Sequence, residues 1–351
     1  MLITGGAGFI GSNAALYFTR RGWDVRILDN FSRLGSEENA RTLSQEVRVE
    51  VRRGDVRRLE DLKAAVSDCV PDVVLHLAAQ VAVTTSVDDP RTDFEINALG
   101  TFNALEVVRR YSPHARFLYA STNKVYGGLE GHDVELFEGR YRLVGKPAGI
   151  AEDEPLDFHS PYGCSKGAAD QYVHDYGRIY GLRTCVLRQS CIYGTRQYGI
   201  EDQGWIAWFT IAALLGRDVT IYGDGRQVRD ALWIDDLLDL YARCLESDGT
   251  PAIFNAGGGP EHSVSVLDVL AMLEQELGHG IDRRFADWRP GDQRVFVTDN
   301  GKAGRKLAWK PAVAVGEGLG RLVRWTKDHM DEIGRFHRAD TRSSDGSQKA
   351  V

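Results

Sequence analysis

Tyr162-Gly-Cys-Ser-Lys166 places a phenol and an ammonium four positions apart. On a helix such positions face the same side, one turn apart. A neighbouring ammonium favours the phenolate and lowers the phenol's pKa, which would give a base usable near neutral pH. On a surface helix the same pair is decoration, so its meaning depends on its setting. A second candidate opens the chain. Thr4-Gly-Gly-Ala-Gly-Phe-Ile-Gly11 spaces three glycines, Gly5, Gly8 and Gly11. One permits a tight turn, one lets backbone approach a pyrophosphate, and one lets a helix pack closely on a strand. The helix that follows offers free N–H groups to a phosphate around Phe9 and Ile10.

Asp29 lies roughly twenty positions further on, where an acid accepts hydrogen bonds from ribose hydroxyls. It would also repel the extra phosphate of NADP, so NAD is the expected cofactor, a preference that the nearby Arg33 weakens slightly. Asn30 and Ser32 flank it. Asp55, after Gly54 and before Val56, suits the adenine amino group, although an ordinary helix N-cap would look the same. In His76-Leu-Ala-Ala-Gln80, Leu77, Ala78, Ala79 and Gln80 should floor the cofactor at the carboxyl edge of a sheet.

These residues need strands and helices in alternation to hold them, and the pattern supplies them. Strands are expected at Met1–Thr4, Asp24–Leu28, Val47–Arg52, Val73–Leu77, Arg116–Ala120, Thr184–Arg188 and Ala252–Ala256. Helices are expected at Ser12–Arg21, Leu59–Ser67, Asp93–Arg110, Pro161–Tyr180, Asp235–Glu246, Val264–Leu277 and Gly316–Ile333. Repeated βα units imply an α/β fold, a doubly wound parallel sheet of Rossmann type. The expected division is a dinucleotide-binding domain over 1–187 that also receives 230–256, with an insertion at 128–159. A smaller substrate-binding α/β lobe takes 188–229 and 257–335, and 336–351 is a polar, disordered tail. The expected strand ending at Ala120 runs into Ser121-Thr122-Asn123-Lys124. There Thr122 can hydrogen-bond a reacting hydroxyl or carbonyl, with Ser121 behind it or touching the cofactor.

Taken together, the glycine turn, Asp29-Asn30, Thr122/Tyr162/Lys166, Arg289-Pro-Gly-Asp-Gln293 and Trp309-Lys-Pro311 resemble the extended short-chain dehydrogenases/reductases that act on nucleotide sugars, the NAD-dependent epimerase/dehydratase family. The resemblance covers nearly the whole chain. Members that eliminate water carry Asp-Glu after the Thr. Here Asn123-Lys124 stands instead, and neither side chain can replace that acid and base, so dehydration and the related decarboxylation are disfavoured. Ser121–Gly127, Asp157–Gln171, Asp202-Gln-Gly-Trp205 and the long 127–159 segment resemble the 2-epimerases of that family, which act on CDP-paratose and CDP-tyvelose. The start is a residue or two shorter than that pattern, and the polar tail exceeds it. The resemblance implies transient oxidation at C2 by NAD, return of the hydride to the other face, and a CDP-hexose as the favoured substrate. Arg229 and then Arg294 are the expected diphosphate ligands, with Arg196 and Arg226 behind them. Solvated surface arginines would satisfy the same sequence. Gln80, Ser86, Asn123, Ser160, Arg188 and Gln203 are expected around the sugar, and Asn97 is expected near Lys166 and the cofactor. A UDP-hexose 4-epimerase would use the same triad, and a non-catalytic dinucleotide sensor the same fold.

The 351 residues are 43% hydrophobic and 26% charged, with a formal net charge of −7. That balance argues against nucleic acid as a partner. Cys69, Cys164, Cys185, Cys191 and Cys244 form no CxxC pair, so neither a metal site nor a disulfide framework is expected. No segment is apolar enough to span a bilayer, and residues 1–4, with neither a basic n-region nor a cleavage pattern, read as a strand and not as a signal peptide. A cytoplasmic protein is expected, with a homodimer or homotetramer through the helices at Asp93–Arg110 and Pro161–Tyr180.

Overall fold

The structure, a computed structural model, describes residues 1–289 and 292–344, with side chains as far as His337. The first half runs β1 (Leu2–Thr4), α1 (Phe9–Thr19), β2 (Arg26–Asp29), α2 (Ser36–Glu46), β3 (Glu50–Arg53), α3 (Leu59–Cys69), β4 (Val73–His76), α4 (Val83–Asp88), α5 (Pro90–Phe94), a π-helical turn at Glu95–Leu99, α6 (Gly100–Tyr111) and β5 (Arg116–Thr122). A hairpin, β6 (Val134–Phe137) with β7 (Arg140–Leu143), precedes α7 (Ser160–Tyr180), β8 (Arg183–Gln189) and β9 (Cys191–Tyr193). Then follow α8 (Trp205–Leu214), β10 (Val219–Tyr222), β11 (Val228–Trp233), α9 (Ile234–Glu246), β12 (Ala252–Ala256), β13 (Ser263–Ser265), α10 (Val266–Leu277), β14 (Arg283–Ala286), β15 (Val295–Phe296), α11 (Gly301–Leu307), α12 (Val315–Asp328) and α13 (Met330–Ser344).

Seven parallel strands form the main sheet in the order β12-β8-β5-β4-β1-β2-β3. The chain order reverses between β1 and β4, which opens a crevice at the carboxyl ends of the strands. Apolar side chains cover both faces. Phe18, Leu43, Leu237 and Tyr241 pack on one side, and Leu62, Leu105, Val108 and Val173 on the other. A side chain of this size contributes about 1.5–3 kcal/mol when fully buried, so the two cores clamp the sheet from both faces. The fold class read from the sequence is therefore the one observed. A second, smaller sheet joins β13, β11 and β15, with β9 paired to β11.

Several elements depart from the sequence reading. The α2 helix was not expected, because SEENARTLSQE shows no apolar stripe and buries only Ser36, Asn39, Ala40 and Leu43. The expected helix at Asp93–Arg110 is broken by the π turn. Gly316–Ile333 is two helices that meet at His329, whose ring stacks on Trp325 at 4.6 Å. The segment after Arg335, expected to be disordered from 336, continues as helix to Ser344. Residues 345–351 of that tail, like Pro290 and Gly291 of the family motif, lie outside the described residues.

His76, at the end of β4, is buried between two hydroxyls. Its Nδ1 lies 2.7 Å from Thr4 Oγ1 and its Nε2 3.1 Å from Thr101 Oγ1. Burial, assisted by the charge of Lys166, holds the imidazole neutral, with its pKa pushed down to about 3. The native value lies below the unfolded one. The contribution is therefore complete above about pH 6.5 and is lost as pH falls toward 3, by about 1.4 kcal/mol per pH unit. Denaturant unfolding between about pH 7 and 4 should show this slope, and His76→Gln should flatten it by one proton.

Candidate active site

The crevice is walled by residues from both sheets. Gly5, Gly8, Phe9, Ile10, Gly11, Asp29, Asn30, Ser32, Arg33, Asp55, Val56, Leu77, Ala78, Ala79, Ser121, Thr122, Tyr162, Lys166 and Gln203 all line it. The glycines are required by close approach. A Cβ on Gly5 would sit 2.7 Å from Ala78 N, with φ +67°, and one on Gly11 would sit 2.3 Å from Gly5 O. A Cβ on Gly8 would meet only Gly5 O, at 3.3 Å, so its other side stays open to a ligand. The first N–H groups of α1 have no helical acceptor, and no side chain caps them. They face an anion site of the kind that a dinucleotide pyrophosphate fills.

Asp29 accepts Ala7 N–H at 2.9 Å on one oxygen and Phe31 N–H at 2.8 Å on the other. Burial raises its pKa and these bonds oppose the rise. Each oxygen keeps a further lone pair for a ribose hydroxyl. The carboxylate of Asp55 is held at about 2, first by Arg57 and then, against burial, by Asn30. It already accepts Arg57 at 2.7 Å and Asn30 Nδ2 at 3.0 Å. Both acids thus stand at the end of the groove farthest along the strand order from β5 and α7.

At the other end α7 begins after the extended residue His159, with Pro161 in its first turn. Ser86 Oγ accepts Tyr162 N–H at 3.1 Å, so Ser86 braces the turn that carries Tyr162 from behind. Tyr162 and Lys166 are 8% and 4% exposed. Lys166 Nζ donates to Ala120 O at 2.5 Å and lies 4.3 Å from the centre of the Tyr119 ring. The Thr122 hydroxyl accepts Lys124 N–H at 3.2 Å, which turns the chain out of β5.

The expected lowering of the Tyr162 pKa is reversed. Burial pushes the phenol up to about 12, against the Thr122 hydrogen bond and the charge of Arg33. Burial also pushes Lys166 down to about 7, against Asp170 and Asp93. Desolvation outweighs the attraction that the four-residue spacing suggested. Viewed as a pair, however, the two groups give up their first proton near neutrality. The pair is then a phenol with a free amine, or a phenolate with an ammonium once the phenol proton moves to Lys166.

Other expected residues lie elsewhere. Arg188 does not reach the groove. It is 3% exposed and forms a two-pronged pair with Asp170, Nε to Oδ2 and Nη2 to Oδ1, both at 3.0 Å. A side chain on a central strand of a covered sheet points into a helix layer, and here it meets α7. Gln80 and Asn97 lie behind the groove wall, bonded to one another through Gln80 N and Asn97 Oδ1 at 2.9 Å. Asn123 is buried beside Thr122, 3.4 Å from its hydroxyl. Arg229 is paired with Asp292 at 2.7 Å, and Arg294 is exposed beside the Tyr141 and Trp288 rings. Arg196 is paired with Glu46. The sequence reading missed Gln189, Ser190, Ile192 and Gln197, which also line the groove. The strand pattern carried the signal for the first, since Gln189 ends β8 as Thr122 ends β5, and the two are register partners.

Three comparisons bear on this site. The family model described as GDP-mannose 4,6 dehydratase matches residues 2–322. The chain is 45% identical to CDP-paratose 2-epimerase of Salmonella typhi over 335 residues, covering 93% of this chain and 98% of that protein. It resembles the structure of UDP-glucose 4-epimerase of Thermotoga maritima with UDP-glucose, at TM-score 0.81 and 32% identity over 94% of this chain and 99% of that one. It also resembles the UDP-glucose 4-epimerase of Thermus thermophilus in complex with NAD, at TM-score 0.79 and 33% identity over 93% of this chain and 98% of that one. With a glycine turn, an acid after β2 and a Thr–Tyr–Lys cluster gathered along one groove, the chain belongs to this family, the NAD-dependent epimerases and dehydratases of the extended short-chain dehydrogenase/reductase type.

Proposed function

We propose that this protein is an NAD-dependent nucleotide-sugar epimerase acting at C2 of a CDP-hexose of the paratose/tyvelose type. One observation carries epimerisation over elimination. Among the described residues, the only carboxylates lining the groove are Asp29 and Asp55, at its far end. Beside Thr122, where elimination would need an acid and a base, stand Asn123 and Lys124. The CDP-hexose and the C2 position rest on the 45% identity to CDP-paratose 2-epimerase.

Gly5, Gly8, Gly11 and Asp29 would hold NAD, which supplies a hydride acceptor and then a donor to the same carbon. Thr122 binds the oxygen at the reacting carbon. Tyr162 takes the hydroxyl proton as the carbon becomes a ketone and returns it after the ketone presents its other face. Lys166 holds the phenol proton in the meantime, so no proton need come from solvent. The net redox change is zero. Lys124 feels the charges of Arg229 and Asp292, and Asp292 pairs with Arg229, so among the described residues these three leave a net positive charge there, and we assign the substrate diphosphate to that region with Arg294 at its rim.

Phe102, Tyr172, Ile179 and Tyr180 are exposed apolar residues on α6 and α7, and a second copy of this chain is their proposed cover, in a dimer or a dimer of dimers. The cytoplasm is the proposed compartment. Five unpaired cysteines support it, and no helix among the described residues is long and apolar enough to cross a membrane.

The test is incubation of the protein with CDP-, UDP-, GDP- and dTDP-hexoses in deuterated water, with sugar configuration read by NMR. Inversion at C2 without deuterium on that carbon is expected. Inversion at C4 alone would favour the 4-epimerase reading, and deuterium at the inverted carbon would exclude hydride return.

A further inference from the structure

Behind the Tyr162–Lys166 pair lies a buried carboxylate that the reaction above does not use. Asp93 is 0% exposed. Its Oδ2 accepts the Ser165 hydroxyl at 2.5 Å, and its Oδ1 accepts Gln80 Nε2 at 3.1 Å and Asn97 Nδ2 at 3.0 Å. All three partners are neutral, so hydrogen bonds satisfy the carboxylate without cancelling its charge. The other acid beside Lys166, Asp170, is compensated by Arg188. The partners of Asp93 tie the first turns of α7 to the segment after β4 and to the π turn. Ser165 sits between Tyr162 and Lys166 on α7 and lies 3.2 Å from Tyr162 O. Asn97 belongs to the π turn, a local distortion of the kind that gathers at functional sites, and it also donates to Ser165 Oγ at 3.1 Å. Gln80 follows the cofactor floor.

We propose that Asp93 is a positioning residue for the Tyr162–Lys166 pair: it locks the first turns of α7 to the cofactor floor and keeps an uncancelled negative charge beside Lys166. The proposal rests on reading that pair as the working base. The other titratable or charged groups facing the pair are His76 on β4, Tyr119 on β5, Asp170 on α7 with Arg188 on β8, and Arg33 ahead of α2. Of these, only Asp170 is another carboxylate, and its charge is already taken up.

The pair titrates in two macroscopic steps, and its active form has lost one proton. A nearby negative charge raises both steps, so removing it lowers both. Asp93→Asn keeps the shape and deletes the charge. Its kcat is expected to fall roughly tenfold, with KM for the nucleotide sugar nearly unchanged and the whole bell of kcat against pH displaced to lower pH. Ser165→Ala keeps the charge and cuts its link to α7, so kcat should fall while the bell stays in place. Tyrosinate absorbance, titrated as the difference between wild type and Tyr162→Phe and again on the Asp93→Asn background, reads the same displacement without turnover. If the epimerase assay fails for wild type, this titration still decides the role of Asp93. An unmoved bell and an unmoved difference titration in Asp93→Asn overturn the proposal. So does an Asp93→Asn protein that fails to fold while Ser165→Ala keeps wild-type kcat.

Discussion

Tyr162→Phe should lower kcat by about 10²–10⁴-fold, the usual contribution of a positioned proton acceptor, and leave NAD affinity close to that of wild type. The phenol oxygen is the one atom lost. The ring stays in its buried place, Ser86 still accepts the residue 162 amide, and Asp29 and the glycine turn are untouched. The expected loss therefore falls on the chemical step. Steady-state kinetics with the CDP-hexose, paired with NAD binding by fluorescence, separate the two. A kcat within a few-fold of wild type would remove Tyr162 from its assigned role. Comparable losses in NAD affinity would mean that the phenol holds the cofactor and not the proton.

Arg188→Ala should cost about 3–5 kcal/mol of unfolding free energy, the usual result of removing one partner of a buried ion pair. Asp170, 0% exposed, would lose both prongs of the guanidinium and keep the Ser121 hydroxyl at 2.6 Å. Tyr126 Oη would lose the Nη1 donor at 3.1 Å and keep Asn255 at 2.6 Å. Denaturant unfolding at fixed pH measures the loss. The same variant, assayed well below its melting temperature, should show an unchanged KM for the nucleotide sugar. A raised KM with stability intact would instead put Arg188 in the sugar pocket, where the sequence reading had it.

That contrast shows what could be read from residues alone. The glycine turn, Asp29, Thr122, Tyr162 and Lys166 are tied to the end of a strand or the start of a helix, and their neighbours in sequence are their neighbours in space. Arg188 looks the same in sequence as a pocket arginine, and only the packing of α7 on β8 shows that its partner is Asp170. Ser86, Gln80 and Asn97 were singled out as contacts of the sugar or cofactor, yet they brace the wall from behind, because a polar residue close to a site does not reveal which side of the wall it faces. The second sheet was hidden for another reason. Its strands are two to six residues long, too short for an alternating pattern to stand out. With it went Ser190, Ile192 and Gln197, the far wall of the groove.

One strand of the main sheet, β8, and the first strand of the second, β9, are nearly one. Only Ser190 separates β8 from β9, and it is tied down by Ser190 N–H to Ala256 O at 2.9 Å and by its hydroxyl to Asp230 Oδ1 at 2.5 Å. Two sheets joined in this way share a single girder. A swing of one sheet against the other about that point would have to work against both bonds. On the proposed reading, with NAD over the main sheet and the sugar beside the second, the covalent chain itself would set the spacing between them. On that reading a change of substrate would fall on the groove-lining side chains between Gln189 and Gln203, while the join between the sheets stays as it is.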